Sequence, residues 1–145
     1  MTLILDDVRE ELDAWCQSYV TAFAAYDAEA IAAHWTFPAL TTQKGRSFAF
    51  KSAEHFASNT DKLLGFYKRQ RVHKAVRRVL EVLPMSDDAV AMTVHDEMRD
   101  PEDALIVSWT AAYVMQRVDG AWRAVSAVAD GEVTAWAENG TPLGG

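Results

Sequence analysis

Among the 145 residues of this chain, two aspartates and a tyrosine (Asp96, Asp130 and Tyr113) are the side chains best placed to move a proton. A carboxylate held among apolar and aromatic groups loses hydration, so its pKa rises and it can act as a general acid or base near neutral pH. A tyrosine beside it can donate a hydrogen bond to a developing oxyanion. The chemistry this predicts is metal-independent proton transfer next to a carbonyl, dehydration or cyclisation, with Asp130 as base and Asp96 as a second acid. Substrate contacts are expected from Trp109, Trp122 and Ser126 further along the chain, and from Tyr19, His34 and Trp35 near its start.

These residues come together only if the strands that carry them pair in a particular register. Asp119-Gly120 between two alternating runs signals a tight hairpin. Pairing outward from it sets Arg117 opposite Trp122, Tyr113 opposite Ser126 and Trp109 opposite Asp130, and cross-strand partners share a face. A four-residue loop over Asp100–Asp103 sets Asp96 opposite Val107, on the face that also holds Val90, Met92, Val94, Met98 and Trp109. His95, Glu97, Thr93, Ser108 and Thr110 then fall on the other face. The competing assignment is structural: Asp130 caps the sheet edge or pairs with Arg78, and a bulge would reverse every later side chain.

The elements follow from hydrophobic periodicity. Leu5, Val8, Leu12, Trp15, Cys16, Tyr19, Phe23 and Tyr26 form one stripe of a long amphipathic helix, capped by Asp6 or Asp7. A short second helix starts at Asp27, carries Ile31 and Trp35 inward and cannot continue through Pro38. Extended segments Ala39–Gln43 and Ser47–Lys51 flank a turn at Lys44–Gly45–Arg46. Ser52 caps a third helix with Phe56, Leu63, Leu64 and Tyr67 inward. From Arg71 the period drops to two, predicting strands over 71–83, 89–99, 104–118 and 121–136. Helices first and meandering strands afterwards predict an α+β domain over residues 1–137, in which the helices close one side of a curled sheet around an apolar pocket. The glycine-rich end, 138–145, is expected to be a flexible tail.

Composition narrows the function. The net charge of −7 opposes a phosphate backbone, so no nucleic-acid partner is expected. Six cations between Lys68 and Arg78 read instead as a solvated strand whose basic side chains meet acidic neighbours. A single cysteine, Cys16, fits a reducing compartment and inert packing on the helix stripe. No apolar run suits a membrane span, and the acidic start does not suit a secretory signal, so a cytoplasmic protein without membrane contact is expected. His34, His55, His73 and His95 lack ligand spacing, and His95-Asp96-Glu97 alternates between strand faces, so neither a metal nor another cofactor is expected. His34 is either a pocket residue or a half-buried side chain with its own partners. Dinucleotide, phosphate-loop and nucleophile-elbow motifs are missing.

Tyr26-Asp27-Ala28-Glu29-Ala30-Ile31, Phe37-Pro38-Ala39 and Tyr113…Asp119-Gly120-Ala121-Trp122-Arg123, taken with the element order, resemble the nuclear transport factor 2-like superfamily over residues 5–137. That resemblance implies a cystatin-like cone: three N-terminal helices packed on a strongly curved, mixed but mainly antiparallel sheet. The superfamily includes SnoaL-like cyclases, ketosteroid isomerases, dehydratases, epoxide hydrolases and non-catalytic binding modules, so fold alone does not choose an activity. It also implies a small apolar molecule in the cone and a homodimer through the outer sheet face, where Ile106, Ala112, Val114, Val118 and Val125 are expected. The ketosteroid isomerase acids are not matched: Thr41, Thr42 and Gln43 stand near one position and Val114 at the other. The readings carried forward are a SnoaL-like enzyme using a pocket carboxylate and a non-catalytic ligand-binding or scaffold domain. A protein-interaction adaptor using the open sheet face is a third.

Overall fold

The structure is a computed structural model that describes residues 4–143. Helix α1 (Leu5–Ala24) buries Val8, Leu12, Trp15, Cys16 and Tyr19, the stripe expected from the spacing. Its N-cap is Ile4 without a side-chain bond, and Asp6 and Asp7 lie inside the first turn, where their charge favours the helix dipole instead of capping it. Helix α2 (Ala28–Ala32) is capped by Asp27, whose carboxylate accepts from the Ala30 amide at 3.0 Å. It ends sooner than expected, so Trp35 opens strand β1 (Trp35–Gln43), which runs through Pro38.

Strands β1 and β2 (Arg46–Phe50) pair antiparallel, with Gln43 opposite Arg46. Lys44 and Gly45 both take positive φ, the geometry a two-residue hairpin turn requires. Ser52 caps α3 (Ala53–Arg69), its hydroxyl accepting from the His55 amide at 3.1 Å. Strands β3 (Lys74–Ser86), β4 (Ala89–Arg99), β5 (Leu105–Val118) and β6 (Ala121–Val128) form the meander. The last segment departs from expectation: the chain leaves the sheet after Val128 and forms helix α4 (Asp130–Glu138). Asp130-Gly131 is the kind of pair that interrupts a strand, and Trp136 behind it is fully buried.

The curved sheet has the order β2-β1-β6-β5-β4-β3, antiparallel throughout except for the parallel β1–β6 contact. Along β4 and β5 burial alternates residue by residue, so Val90, Met92, Val94, Asp96 and Met98 face the core together with Val107, Trp109, Ala111, Tyr113 and Met115. Helices α1 and α3 supply the facing side, with Tyr19, Phe56, Leu64, Phe66 and Tyr67 buried. No helix among the described residues is long and apolar enough to cross a membrane. The end expected to be flexible is packed as far as it is described: Thr141 donates its amide to the Trp136 carbonyl and Leu143 rests on the core, while Gly144 and Gly145 lie outside the described residues.

Candidate functional site

Between the sheet and the helices lies a cavity of about 470 Å³, within the range of small-molecule sites. Its wall is mainly apolar and aromatic, with Phe23, Ile31, Trp35, Phe56, Phe66, Met98 and Trp109, and it includes two carboxylates, Asp96 and Glu132.

Strand pairing builds the first acidic cluster. Arg77 on β3 is the cross-strand partner of Asp96 on β4, and both side chains point inward. The guanidinium grips the carboxylate in a two-pronged pair, Nε to Oδ1 at 2.6 Å and Nη2 to Oδ2 at 2.7 Å, with Arg77 only 7% and Asp96 only 3% exposed. The same Nη2 donates to the Tyr113 hydroxyl at 2.8 Å, and the guanidinium lies over the rings of Tyr113 and Tyr19. Burial works against the charge on Arg77, but Tyr113 and Asp96 outweigh it and hold the group firmly cationic. Burial raises the Tyr19 and Tyr113 pKa values, so both phenols keep their protons. Because Tyr113 accepts from Arg77, and Tyr19 accepts from the Trp35 indole at 3.0 Å, each has its own proton left to donate. Charge-assisted bonds of this kind are short and directional.

Helix α4 supplies the second. Gly131 makes its position possible: a Cβ there would stand 2.3 Å from the Thr110 carbonyl oxygen, so only glycine lets the helix start this close to β5. The next residue, Glu132, is thereby set into the cavity wall. Its Oε2 accepts from the Tyr67 hydroxyl of α3 and from the Trp136 indole, one turn on, at 3.2 Å. The residue as a whole is half-buried. Burial of its carboxyl lifts the pKa from 4.5 to about 7, only partly opposed by the two hydrogen bonds. Burial and the adjacent Glu132 push Tyr67 well above its ordinary value, so it remains the donor.

Five of the nine residues expected at the site line the cavity: Asp96, Tyr113, Trp109, Tyr19 and Trp35. Asp130 does not. It lies in the first turn of α4, because β6 stops at Val128 and has no residue opposite Trp109, which faces Asp96 alone in the ladder. Ser126 is displaced by a bulge at Val125: Met115 pairs with Ala124 but Val114 pairs with Ser126, which moves Ser126 to the outer face while Ala127 takes its place opposite Tyr113. Trp122 faces inward but is held away from the cavity, its indole donating to Glu11 at 2.9 Å under the Arg117 guanidinium. His34 has partners on both ring nitrogens, the Ala30 carbonyl and the Ser18 hydroxyl, each at 2.7 Å. Ring packing on Trp15 and Tyr19 fixes it further, outside the cavity. Among the described residues no group of acidic, histidine or cysteine side chains is arranged to hold a metal ion.

Glu132, Tyr67 and Arg77 were not expected at the site. Arg77 belongs to the basic run read as solvated, a reading that fits Arg71 and Lys74, which pair with Glu102 and Asp103. Its alternation with Ala75 and Val79 was the available signal that it points inward.

A family profile described as NTF2-like protein (DUF6841) matches residues 9–132. The chain belongs to this NTF2-like family. Solved structures similar to this NTF2-like protein include Aln2 from a Streptomyces species, at 14% identity and a TM-score of 0.68 over 88% of this chain and 92% of that one. A cystatin-like domain from Nostoc punctiforme has 16% identity and a TM-score of 0.65 over 88% and 77% of the two chains. A ketosteroid isomerase-like protein from Erwinia carotovora atroseptica has 17% identity and a TM-score of 0.59 over 83% and 92%. Likeness at these identities establishes the fold of this NTF2-like protein and nothing about its chemistry. Comparison with curated protein sequences gives no match.

Proposed function

We propose that this NTF2-like protein binds a small, mainly apolar, carbonyl-containing molecule in its cavity and moves a proton on it without a metal. Glu132 is the proton-transfer group, and Tyr113, polarised by Arg77, is the donor to the carbonyl oxygen. The observation that carries this reading is a glutamate in the wall of an apolar cavity with its pKa raised to about 7, where acid and base forms are both populated at neutral pH. The Asp96–Arg77 pair supplies a fixed dipole behind Tyr113, so charge developing on a substrate oxygen meets a donor already in place. Glu132 thus takes the role the sequence assigned to Asp130, and Asp96 becomes a positioning residue.

One observation favours a non-catalytic binding domain instead. Tyr67 and Trp136 both engage the same oxygen of Glu132, which also makes the carboxyl a clamp between α3 and α4.

Exchange of α-protons separates the two. A panel of apolar cyclic ketones in D2O, followed by NMR, should exchange faster with the protein than in buffer, and Glu132→Gln should reduce the accelerated rate about 100-fold or more. Ketones that bind, read from the change in tryptophan fluorescence that contact with Trp35 and Trp109 in the cavity wall should cause, but exchange at the buffer rate would leave the binding reading and remove the enzymatic one.

A further inference from the structure

The cavity has a charged rim that the proton-transfer reading does not use. Asn59, Lys62, Phe66 and Arg69 recur at intervals of three and four residues on α3, which sets them in one stripe, and all four belong to the cavity wall. Phe66 is buried, whereas Lys62 and Arg69 are exposed, so this stripe passes from the apolar interior to solvent. Thr41 and Gln43, at the end of β1, add neutral polar groups to the same wall.

Three features leave the two cations available to a ligand. First, the chain carries a net charge of −7, yet neither is in an ion pair among the described residues, and the Arg69 guanidinium lies over the Phe66 ring. Second, no acid stands three or four residues from either on α3: the neighbours are Ser58, Asn59, Gly65 and Phe66 for Lys62, and Gly65 and Phe66 for Arg69, the last residue of the helix. The next two cations along the chain, Arg71 and Lys74, are by contrast taken up by Glu102 and Asp103. Third, they stand seven residues apart, about 10 Å along the helix, and two long flexible side chains can converge on one group over that span.

The interior offers an anion no unpaired cation. Asp96 is neutralised by Arg77, which leaves Glu132 as the carboxyl without a cation. An anionic group is therefore disfavoured deep in the cavity and favoured at its rim.

We propose that the substrate class is an amphipathic anion, a mainly apolar body with a carboxylate head, bound with the body inside the cavity and the head held at the rim by Lys62 and Arg69. This rests on the cavity being a ligand site, as proposed above, but not on Glu132 being catalytic. Cations at a mouth also raise the local concentration of such a ligand and its rate of entry, in a salt-dependent way.

The test compares two probes of equal chain length, decanoate and decan-1-ol, below micelle-forming concentrations at pH 8, with binding read from the change in tryptophan fluorescence as Trp35 and Trp109 in the cavity wall are covered. Two exposed ion pairs should give decanoate about a tenfold lower Kd at low salt, shrinking in 0.5 M NaCl. The Lys62→Gln/Arg69→Gln variant should bind the two probes alike while keeping its affinity for decan-1-ol. Equal affinities in the parent protein would overturn the anionic head and leave the cavity reading intact. A preference for decanoate that survives in the double variant would overturn the role of this rim, and binding of neither probe would remove both the cavity reading and this inference.

Discussion

The two cavity carboxylates show how differently one fold can treat the same functional group. Asp96 sits on a central strand opposite an arginine, and the geometry of antiparallel pairing delivers the cation to it at 2.6 and 2.7 Å. Glu132 sits on a short helix laid across the sheet end, and its partners are a phenol and an indole, donors without charge. A carboxylate gripped by a guanidinium is fixed in place by short, directional charge-assisted bonds, whereas one with only neutral donors bears most of its desolvation and moves towards neutrality. Charge pairing makes the first a fixture of the core. Its absence leaves the second able to gain and lose a proton near pH 7.

The largest effect should come from unmaking the fixture. Arg77→Met leaves Asp96 buried without its cation, an arrangement that costs about 3–5 kcal/mol. Urea unfolding should show that loss, and adding Asp96→Leu should recover most of it by removing the stranded charge. If Arg77→Met alone unfolds at the parent's midpoint, Asp96 is not held by this pair. The double variant should also lose the polarised donor at Tyr113, so recovered stability without recovered proton transfer would separate the structural part of the cluster from its chemical part.

Titrating the second carboxylate gives a smaller effect with a definite sign. The pKa of Glu132 is raised in the folded protein, from 4.5 to about 7, so the native state retains a proton that the unfolded chain releases. Its stabilising contribution is full below pH 4.5, declines through the interval up to about 7 and is gone above it, worth at most about 3 kcal/mol. Chemical denaturation at intervals across this range should show the decline, and Glu132→Gln should flatten it. A parent and variant that respond identically to pH would mean that Glu132 titrates as an ordinary exposed glutamate.

What the sequence disclosed about these groups depended on how the pairing errors propagate. The β4–β5 register was expected with Asp96 opposite Val107 and is found with Asp96 opposite Trp109. A shift of two residues preserves the face of every side chain, so Asp96, Trp109 and Tyr113 still meet at the cavity. The β5–β6 hairpin begins in the expected register, Val118 opposite Ala121 and Arg117 opposite Trp122, and then slips by one at Val125. A single-residue slip exchanges faces, which carries Ser126 outward. Turn chemistry at Asp119-Gly120, where both residues take positive φ, was legible because it is local. The bulge was not, since nothing in Ala124-Val125-Ser126 marks it. Helix α4 left a readable trace, the strand-breaking Asp130-Gly131 followed by Glu132 and Trp136 four residues apart, but extending β6 through Gly131 hid the acid that faces the cavity. Helix periodicity located α1 and α3 well because their buried stripes are long.

The smallest effect concerns Asp130, which separates the two carboxylates' elements from their neighbours. Two positions before Glu132, it occupies the first turn of α4, and it is not part of the cavity wall. A negative charge there interacts favourably with the helix N-terminus, by about 0.3–1 kcal/mol when exposed to solvent and salt. Asp130→Asn should therefore lower the unfolding free energy by no more than that, with the loss shrinking as salt is added. Ketone exchange and probe binding should be unchanged, while Glu132→Gln, two residues away, abolishes the first. If Asp130→Asn instead suppressed exchange as strongly as Glu132→Gln, the start of α4 would have to place both carboxyls against the substrate. Gly131, where an added Cβ would stand 2.3 Å from the Thr110 carbonyl oxygen, seats the start of α4 tightly on β5, which opposes such a rotation.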